Sequence, residues 1–178
     1  MTNLFHNKSM PFYQFGETME LKPIPWEDWI PFIIGRFESN GQEISPEIAV
    51  EICEFVECQS SYVQQLAWNV MVESGAVVDK KGFDAGCEAI MAQSESYFVE
   101  QTKGLTSYQM NFLRLLCLGI NRDFGSRDVQ KQYSLGSPSN IQRVKQALAD
   151  REIVEQAPDG TCRFMDPLLR RWFSRRHL

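Results

Sequence analysis

Apolar positions recur at helical spacing along most of the chain. After Ser45-Pro46-Glu47, Ile48, Ile52, Phe55 and Val56 fall on one stripe. A cap residue, a proline at the first helical position and an acid in the first turn mark its start. Residues 62–74 repeat the pattern through Val63, Leu66, Ala67 and Val70, with Ser61 as the expected cap and Gly75 as the stop. Asp79 is placed to cap a longer helix that turns Phe83, Cys87, Ile90 and Met91 inward and continues through Tyr97 and Phe98 to Lys103-Gly104. Ahead of these, Pro25-Trp26-Glu27-Asp28-Trp29-Ile30-Pro31 opens a helix to about Ser39, ended by Asn40-Gly41. Pro31 is expected close to its start, because a proline deep in a helix costs about 3 kcal/mol. The pattern predicts a small helical bundle over 26–104, its helices joined by short polar turns.

The organisation changes after Leu105. Thr106-Ser107-Tyr108-Gln109 has the form of a capping box and leads into an apolar stripe through Met110, Leu113, Leu116 and Cys117, stopping at Gly119. A short helix over 126–133 follows, capped by Ser126 with Asp128 near its positive end. Beyond Ser134-Leu135-Gly136, Ser137 can cap a third helix with Pro138 in its first turn. Ile141, Val144 and Leu148 form its dry side, leaving Asn140, Gln142, Arg143 and Gln146 on the polar side. Two short β-type runs, 153–156 and 161–164, then flank Ala157-Pro158-Asp159-Gly160, a hairpin signal. Helix, helix, helix, hairpin is the order of a winged helix, in which the third helix can enter a major groove and the hairpin can flank it. The fold class expected is mainly α: a small lid-like helical bundle followed by a winged-helix domain with a β-hairpin wing, divided as 1–25, 26–104 and 105–178.

The opening 25 residues do not read as a self-sufficient unit. Pro11-Phe12-Tyr13-Gln14-Phe15-Gly16 is aromatic and turn-like, and Met19-Glu20-Leu21-Lys22 suits a brief strand broken by Pro23 and Pro25. Phe5, Phe12, Tyr13 and Phe15 need a surface to pack on, either the following helices or a part of a larger protein.

Charge divides the chain at nearly the same point as the pattern does. Residues 1–100 carry 5 Lys and Arg against 16 Asp and Glu, a balance of −11, whereas residues 101–178 carry 13 against 7, a balance of +6. A polyanion would be repelled by the first module and attracted by the second. Arg127, Arg143, Lys145, Arg163, Arg170, Arg171, Arg175 and Arg176 would supply phosphate attraction. The terminal run Arg170-Arg171-Trp172-Phe173-Ser174-Arg175-Arg176 is amphipathic, with Leu169, Trp172 and Phe173 expected against the wing and the arginines exposed.

Candidate chemistry is sparse. His6 and His177 stand at opposite ends, no C-x-x-C occurs, and Cys53, Cys58, Cys87, Cys117 and Cys162 are scattered through apolar stripes, so a zinc site is not expected and buried free thiols are. There is no G-x-S-x-G elbow, and the carboxylate pairs Glu27/Asp28 and Glu51/Glu54 lie on solvated helical faces. No run of about 18 apolar residues is present to span a bilayer, and the N-terminus lacks a signal-peptide core. A cytoplasmic protein with no membrane association is expected.

A resemblance gives these modules a common setting. Pro11-Phe12-Tyr13 with Glu20-Leu21-Lys22-Pro23-Ile24, Trp29-Ile30-Pro31-Phe32-Ile33, Tyr62-Val63-Gln64-Gln65-Leu66-Ala67-Trp68, and Leu105-Thr106-Ser107-Tyr108-Gln109-Met110-Asn111-Phe112-Leu113 resemble the C-terminal part of prokaryotic AAA+/STAND-type P-loop ATPases of the archaeal-ATPase group. The resemblance implies that 1–25 is a remnant of the nucleotide-binding core or an extended arm, that 26–104 is the helical lid, and that the winged helix comes last. Yet no G-x-x-x-x-G-K-[ST] occurs, so no phosphate cradle and no Lys/Ser pair for nucleotide and Mg²⁺ is encoded. ATP and Mg²⁺ would belong to a full-length parent, and the chain itself is expected to be no enzyme, with no catalytic residue.

In related ATPases a glycine- and proline-containing turn precedes the helix matching 62–70. Here Cys58-Gln59-Ser60-Ser61 stands in its place, leaving Ser61 and Tyr62 as the candidate lid contacts to nucleotide. The candidate DNA-binding set is Ser139, Asn140, Gln142, Arg143 and Gln146 on the third helix with Arg127 and Arg163 beside it. The favoured reading is an accessory region of such an ATPase whose partners are the missing core and, through the winged helix, double-stranded DNA or a protein. Self-association would cover orphan apolar surface. The alternative is a free-standing winged-helix transcriptional regulator whose helical half dimerises or senses a ligand.

Overall fold

The computed structural model describes residues 24–178, so the expectations for 1–23, including the aromatic stretch around Phe12 and the brief strand at 19–22, lie outside the described residues. The fold is mainly α, a helical bundle followed by a winged-helix region with a two-stranded wing. Four helices build the bundle: α1 (Trp26–Ser39), α2 (Pro46–Phe55), α3 (Ser60–Glu73) and α4 (Lys80–Thr102). Ser45 caps α2 by accepting from the Ile48 N–H, and Asp79 caps α4 by accepting from the Gly82 N–H. The α1 stripe buries Trp29, Ile33 and Phe37 in the core that also holds Ile52, Leu66 and Val70.

Two starts differ from expectation. Pro31 sits inside α1, not at its beginning. Its ring removes the bond to the Glu27 carbonyl, but both residues are exposed, and the burial of the Trp29, Ile33 and Phe37 stripe outweighs one lost bond at the solvent face. Ser61 does not cap α3: the helix begins two residues earlier than expected, at Ser60, Gln59 occupies the flanking position, and no side chain bonds there.

Long-range contacts then lock the bundle. A Cβ on Gly86 would lie 2.7 Å from the Val70 nitrogen, so only glycine allows α4 this close to α3. Asn69 and Gln93 exchange side-chain bonds across the same contact. The Gln42 amide donates to the Met71, Ser74 and Gly75 carbonyls at 3.0, 3.2 and 3.0 Å, satisfying the end of α3 in place of a terminal cap.

The winged helix comprises α5 (Ser107–Cys117), α6 (Arg127–Gln132), α7 (Pro138–Asp150), β1 (Val154–Gln156), β2 (Cys162–Phe164) and α8 (Pro167–His177). Both halves of the Thr106/Gln109 capping box form, and Ser126 and Ser137 cap α6 and α7. The strands pair antiparallel with Val154 opposite Phe164. In the turn, Asp159 accepts from the Thr161 N–H and hydroxyl, which holds its carboxyl below the usual range, and Gly160 takes φ 85°. Phe112, Leu115, Leu148, Leu168 and Phe173 fill the core beneath the wing.

Candidate functional site

The polar face of α7 forms as its spacing requires: Ser139, Gln142, Arg143 and Gln146 are exposed, while Ile141, Val144 and Leu148 are buried. The structure brings Arg127 of α6 to the surface as well. Several of these groups are already engaged. Asn140 is half-buried and donates to the Leu135 carbonyl at 2.8 Å, fixing the turn before α7. Gln146 donates to Asp150 at 2.7 Å, Ser139 shares a hydrogen bond with Ser137, and Arg163 is paired with Glu155 across the wing. Lys145, expected to face phosphate, is 8 % exposed, with its ammonium 5.5 Å above the Phe124 ring. Its long apolar stem packs where the neighbouring positions Val144 and Leu148 are also buried. Arg122, Arg127, Lys131, Arg143 and Arg151 are the exposed cations of 105–178 that make no ion pair among the described residues, and Arg151 is engaged by backbone carbonyls.

The arginines of α8 have another role. Leu169, Trp172 and Phe173 are buried, Phe173 against Phe164 of the wing as expected but Trp172 against the bundle, and the helix's cations reach the bundle as well. Arg170 pairs with Glu57 at 2.7 Å, Arg175 with Glu88 at 2.8 Å and Arg176 with Glu95 at 3.0 Å. Arg171 donates to the Phe55 carbonyl at 2.7 Å and stacks over the Phe55 ring, and burial lowers its pKa. Trp172 packs on Phe98 of α4 with ring centroids 5.9 Å apart. The charge asymmetry of the two halves is therefore partly consumed inside the molecule. Without α8, residues 101–166 carry 9 Lys and Arg against 7 Asp and Glu, a balance of only +2.

Tyr62 belongs to this seam. Its hydroxyl donates to one oxygen of Asp166 at 2.6 Å, while the other oxygen of Asp166 accepts from the Leu168 and Leu169 N–H groups at the start of α8. Burial and the Asp166 carboxylate push the phenol well up. Its hydroxyl is thus committed to tying α3 to α8. Ser61 is exposed in the first turn of α3. A cleft of about 540 Å³ runs along the seam, and five of its charged residues pair with one another: Lys80 with Glu51 and Asp84, and Arg175 with Glu88. Arg151 of the segment after α7 adds a further tie by donating to the Gln101 and Lys103 carbonyls at the end of α4.

The thiols are free, with Cys53, Cys87 and Cys162 buried. Burial pushes Cys53 and Cys87 up to about 12 and Cys117 and Cys162 up to about 11, the opposite of what a nucleophile needs. Among the described residues no helix is long and apolar enough to cross a membrane.

Comparison with known proteins adds one likeness of fold. The structure is similar to that of the Walker-type ATPase of Pyrococcus abyssi, with a TM-score of 0.68 and 13% sequence identity. The match takes in 94% of this chain and 47% of that one, so the present chain spans about half the length of the protein it matches. No family model matches the chain, and no curated protein does.

Proposed function

We propose that this chain is an accessory region of a P-loop ATPase, its bundle acting as the lid-like element beside a nucleotide-binding core and its winged helix as a docking head for a partner protein. The observation that carries this reading is the fold likeness to part of a Walker-type ATPase over 94% of the chain, combined with a sequence that holds no G-x-x-x-x-G-K-[ST]. ATP and Mg²⁺ would be held by the core and not by these residues. The seam supports a mechanical role. The packing of Trp172 on Phe98 and of Arg171 on Phe55, with the Tyr62–Asp166 bond, joins α8 to the bundle, so that a rotation of the bundle would carry the winged helix with it.

Protein docking is favoured over DNA reading because the phosphate-binding complement is small. Three of the α8 arginines face carboxylates, Arg163 is neutralised by Glu155, and Asp159 places another acid at the wing tip. The DNA-binding alternative rests on the exposed cations Arg122, Arg127, Lys131 and Arg143 together with Gln142. Anisotropy titration of a labelled random duplex at two salt concentrations, with a labelled ATP analogue in parallel, separates the readings. Four phosphate contacts give a log–log salt slope of about −4 or shallower and weak binding. Tight, steeply salt-dependent duplex binding that falls on Arg143→Ala would instead establish a DNA-binding module, and saturable binding of the analogue would refute the absence of a nucleotide site.

A further inference from the structure

A cavity of about 270 Å³ opens between the end of α5 and α8, lined by Cys117, Arg170, Arg171, Ser174 and Arg175. Its charged residues are all cations: Glu57 and Glu88, the partners of Arg170 and Arg175, do not line it. The Cys117 thiol adds no negative charge. Burial pushes it up to about 11, and it donates to the Arg170 carbonyl at 3.7 Å. Ser174 contributes a hydroxyl that can donate or accept.

The arginines keep donors in reserve. Among the described residues the seam engages Arg170 through Nη2 on Glu57, Arg171 through Nε on the Phe55 carbonyl and Arg175 through Nη1 on Glu88. A guanidinium carries more N–H donors than such contacts use, in a fork matched to oxyanions. The Nε of Arg170 is buried with no acceptor among the described residues, a group whose burial costs free energy until it is paired. Like charges also crowd together: burial first, then the charges of Arg170 and Arg175, depress the Arg171 pKa. An oxyanion would supply the missing acceptors and relieve the repulsion. The volume lies just below the ~300–1,000 Å³ of ordinary small-molecule pockets and well above the ~30 Å³ share of one water, which suits a phosphoryl group. A duplex, whose phosphates are met by cations spread along a surface, is not served by a single cavity.

We infer that the α5/α8 cavity binds a phosphoryl dianion, its oxygens accepting from Arg170, Arg171 and Arg175 with the Ser174 hydroxyl as a further donor. The ligand is inorganic phosphate or the phosphate end of a small monoester. Because Arg171 and Arg175 also line the cleft on the bundle side, the bound ion braces the winged helix against the bundle. The site stands independently of the ATPase reading and of what α7 meets.

The test is calorimetric titration of the full chain with inorganic phosphate and, separately, with glycerol phosphate, at an ionic strength held constant with sodium chloride. The expected result is saturable binding at one site per chain, weakened about tenfold or more by Arg175→Gln. Ser174→Asp, whose carboxylate would occupy the cavity, should abolish it. Circular dichroism checks that both variants fold. Phosphate should also raise the thermal midpoint of the unaltered chain more than that of Ser174→Asp, since the general effect of a phosphate salt is common to both. Tighter binding of the ester would identify the ligand as a phosphorylated small molecule, and equal or tighter binding of phosphate would identify the free ion. Absence of saturable binding by either ligand, or binding indifferent to both substitutions, would overturn the assignment.

Discussion

Replacing Trp172 by alanine separates the hydrophobic part of the seam from its ion pairs. The Trp172 indole is 7% exposed and packs on the fully buried Phe98 ring. A tryptophan buries ~150–250 Å², which at ~25 cal/mol per Å² corresponds to about 4–6 kcal/mol as an upper bound. Truncations of this kind cost about 3–5 kcal/mol in practice. The three pairs Arg170–Glu57, Arg175–Glu88 and Arg176–Glu95 join side chains that are 41 to 66% exposed. Screened by water, such pairs are worth about 0.2–1 kcal/mol each, so the aromatic contact dominates. Urea unfolding of Trp172→Ala and of the triple variant Glu57→Gln/Glu88→Gln/Glu95→Gln, at low and high salt, measures both. The expected losses are about 3–5 kcal/mol, indifferent to salt, for the first and about 1–2 kcal/mol, vanishing in high salt, for the second. In Trp172→Ala the remaining tryptophans, Trp26, Trp29 and Trp68, all report on the bundle, so separation of the fluorescence and circular dichroism transitions would show the winged helix leaving first. A triple variant as damaging as Trp172→Ala would refute the argument that the seam is held mainly by apolar contact.

Other expectations follow from single contacts. Gly86→Ala should destabilise by about 1–3 kcal/mol despite the better helix propensity of alanine, because its methyl group would meet the Val70 backbone; a stabilised variant in urea melts would contradict the close approach. Thr106→Ala removes half of a capping box and should cost about 1 kcal/mol, read as a lowered thermal midpoint. Stability should be level to about pH 8.5, the ordinary thiol value, and should then fall as pH rises. The buried thiols keep their protons in the folded chain up to about 11 or 12, whereas the unfolded chain releases them, so urea midpoints rising above pH 9 would contradict their burial.

Legibility in the sequence tracked the range of the contact. Helix starts built from a side chain and an N–H three residues later, at Ser45, Asp79, Thr106, Ser126 and Ser137, are local and were readable, as was the wing turn at Asp159-Gly160. The dry and polar sides of α7 followed from periodicity. What spacing could not supply was which polar groups find partners far along the chain. Gln42, between the Asn40-Gly41 stop and the Ser45 cap, carries no sequence signal yet closes the end of α3, and Tyr62 reads as a lid contact and instead meets Asp166. Lys145 follows the polar pattern only in type, since its stem lies against the core. The charge contrast between the halves carried a signal for the seam: opposite signs in one chain can attract each other as readily as an outside partner. Only the structure shows that Glu57, Glu88 and Glu95 stand opposite the α8 arginines.

Purification of the tagged chain from the cells it comes from, followed by assay of Mg²⁺-dependent ATP hydrolysis and identification of the polypeptides recovered, tests the proposed role most directly. The account predicts hydrolysis carried by a P-loop polypeptide, either a separate subunit or a longer form of the same chain, and none from residues 1–178 produced alone. Hydrolysis by the isolated chain, or recovery with no P-loop polypeptide and no hydrolysis, would contradict it.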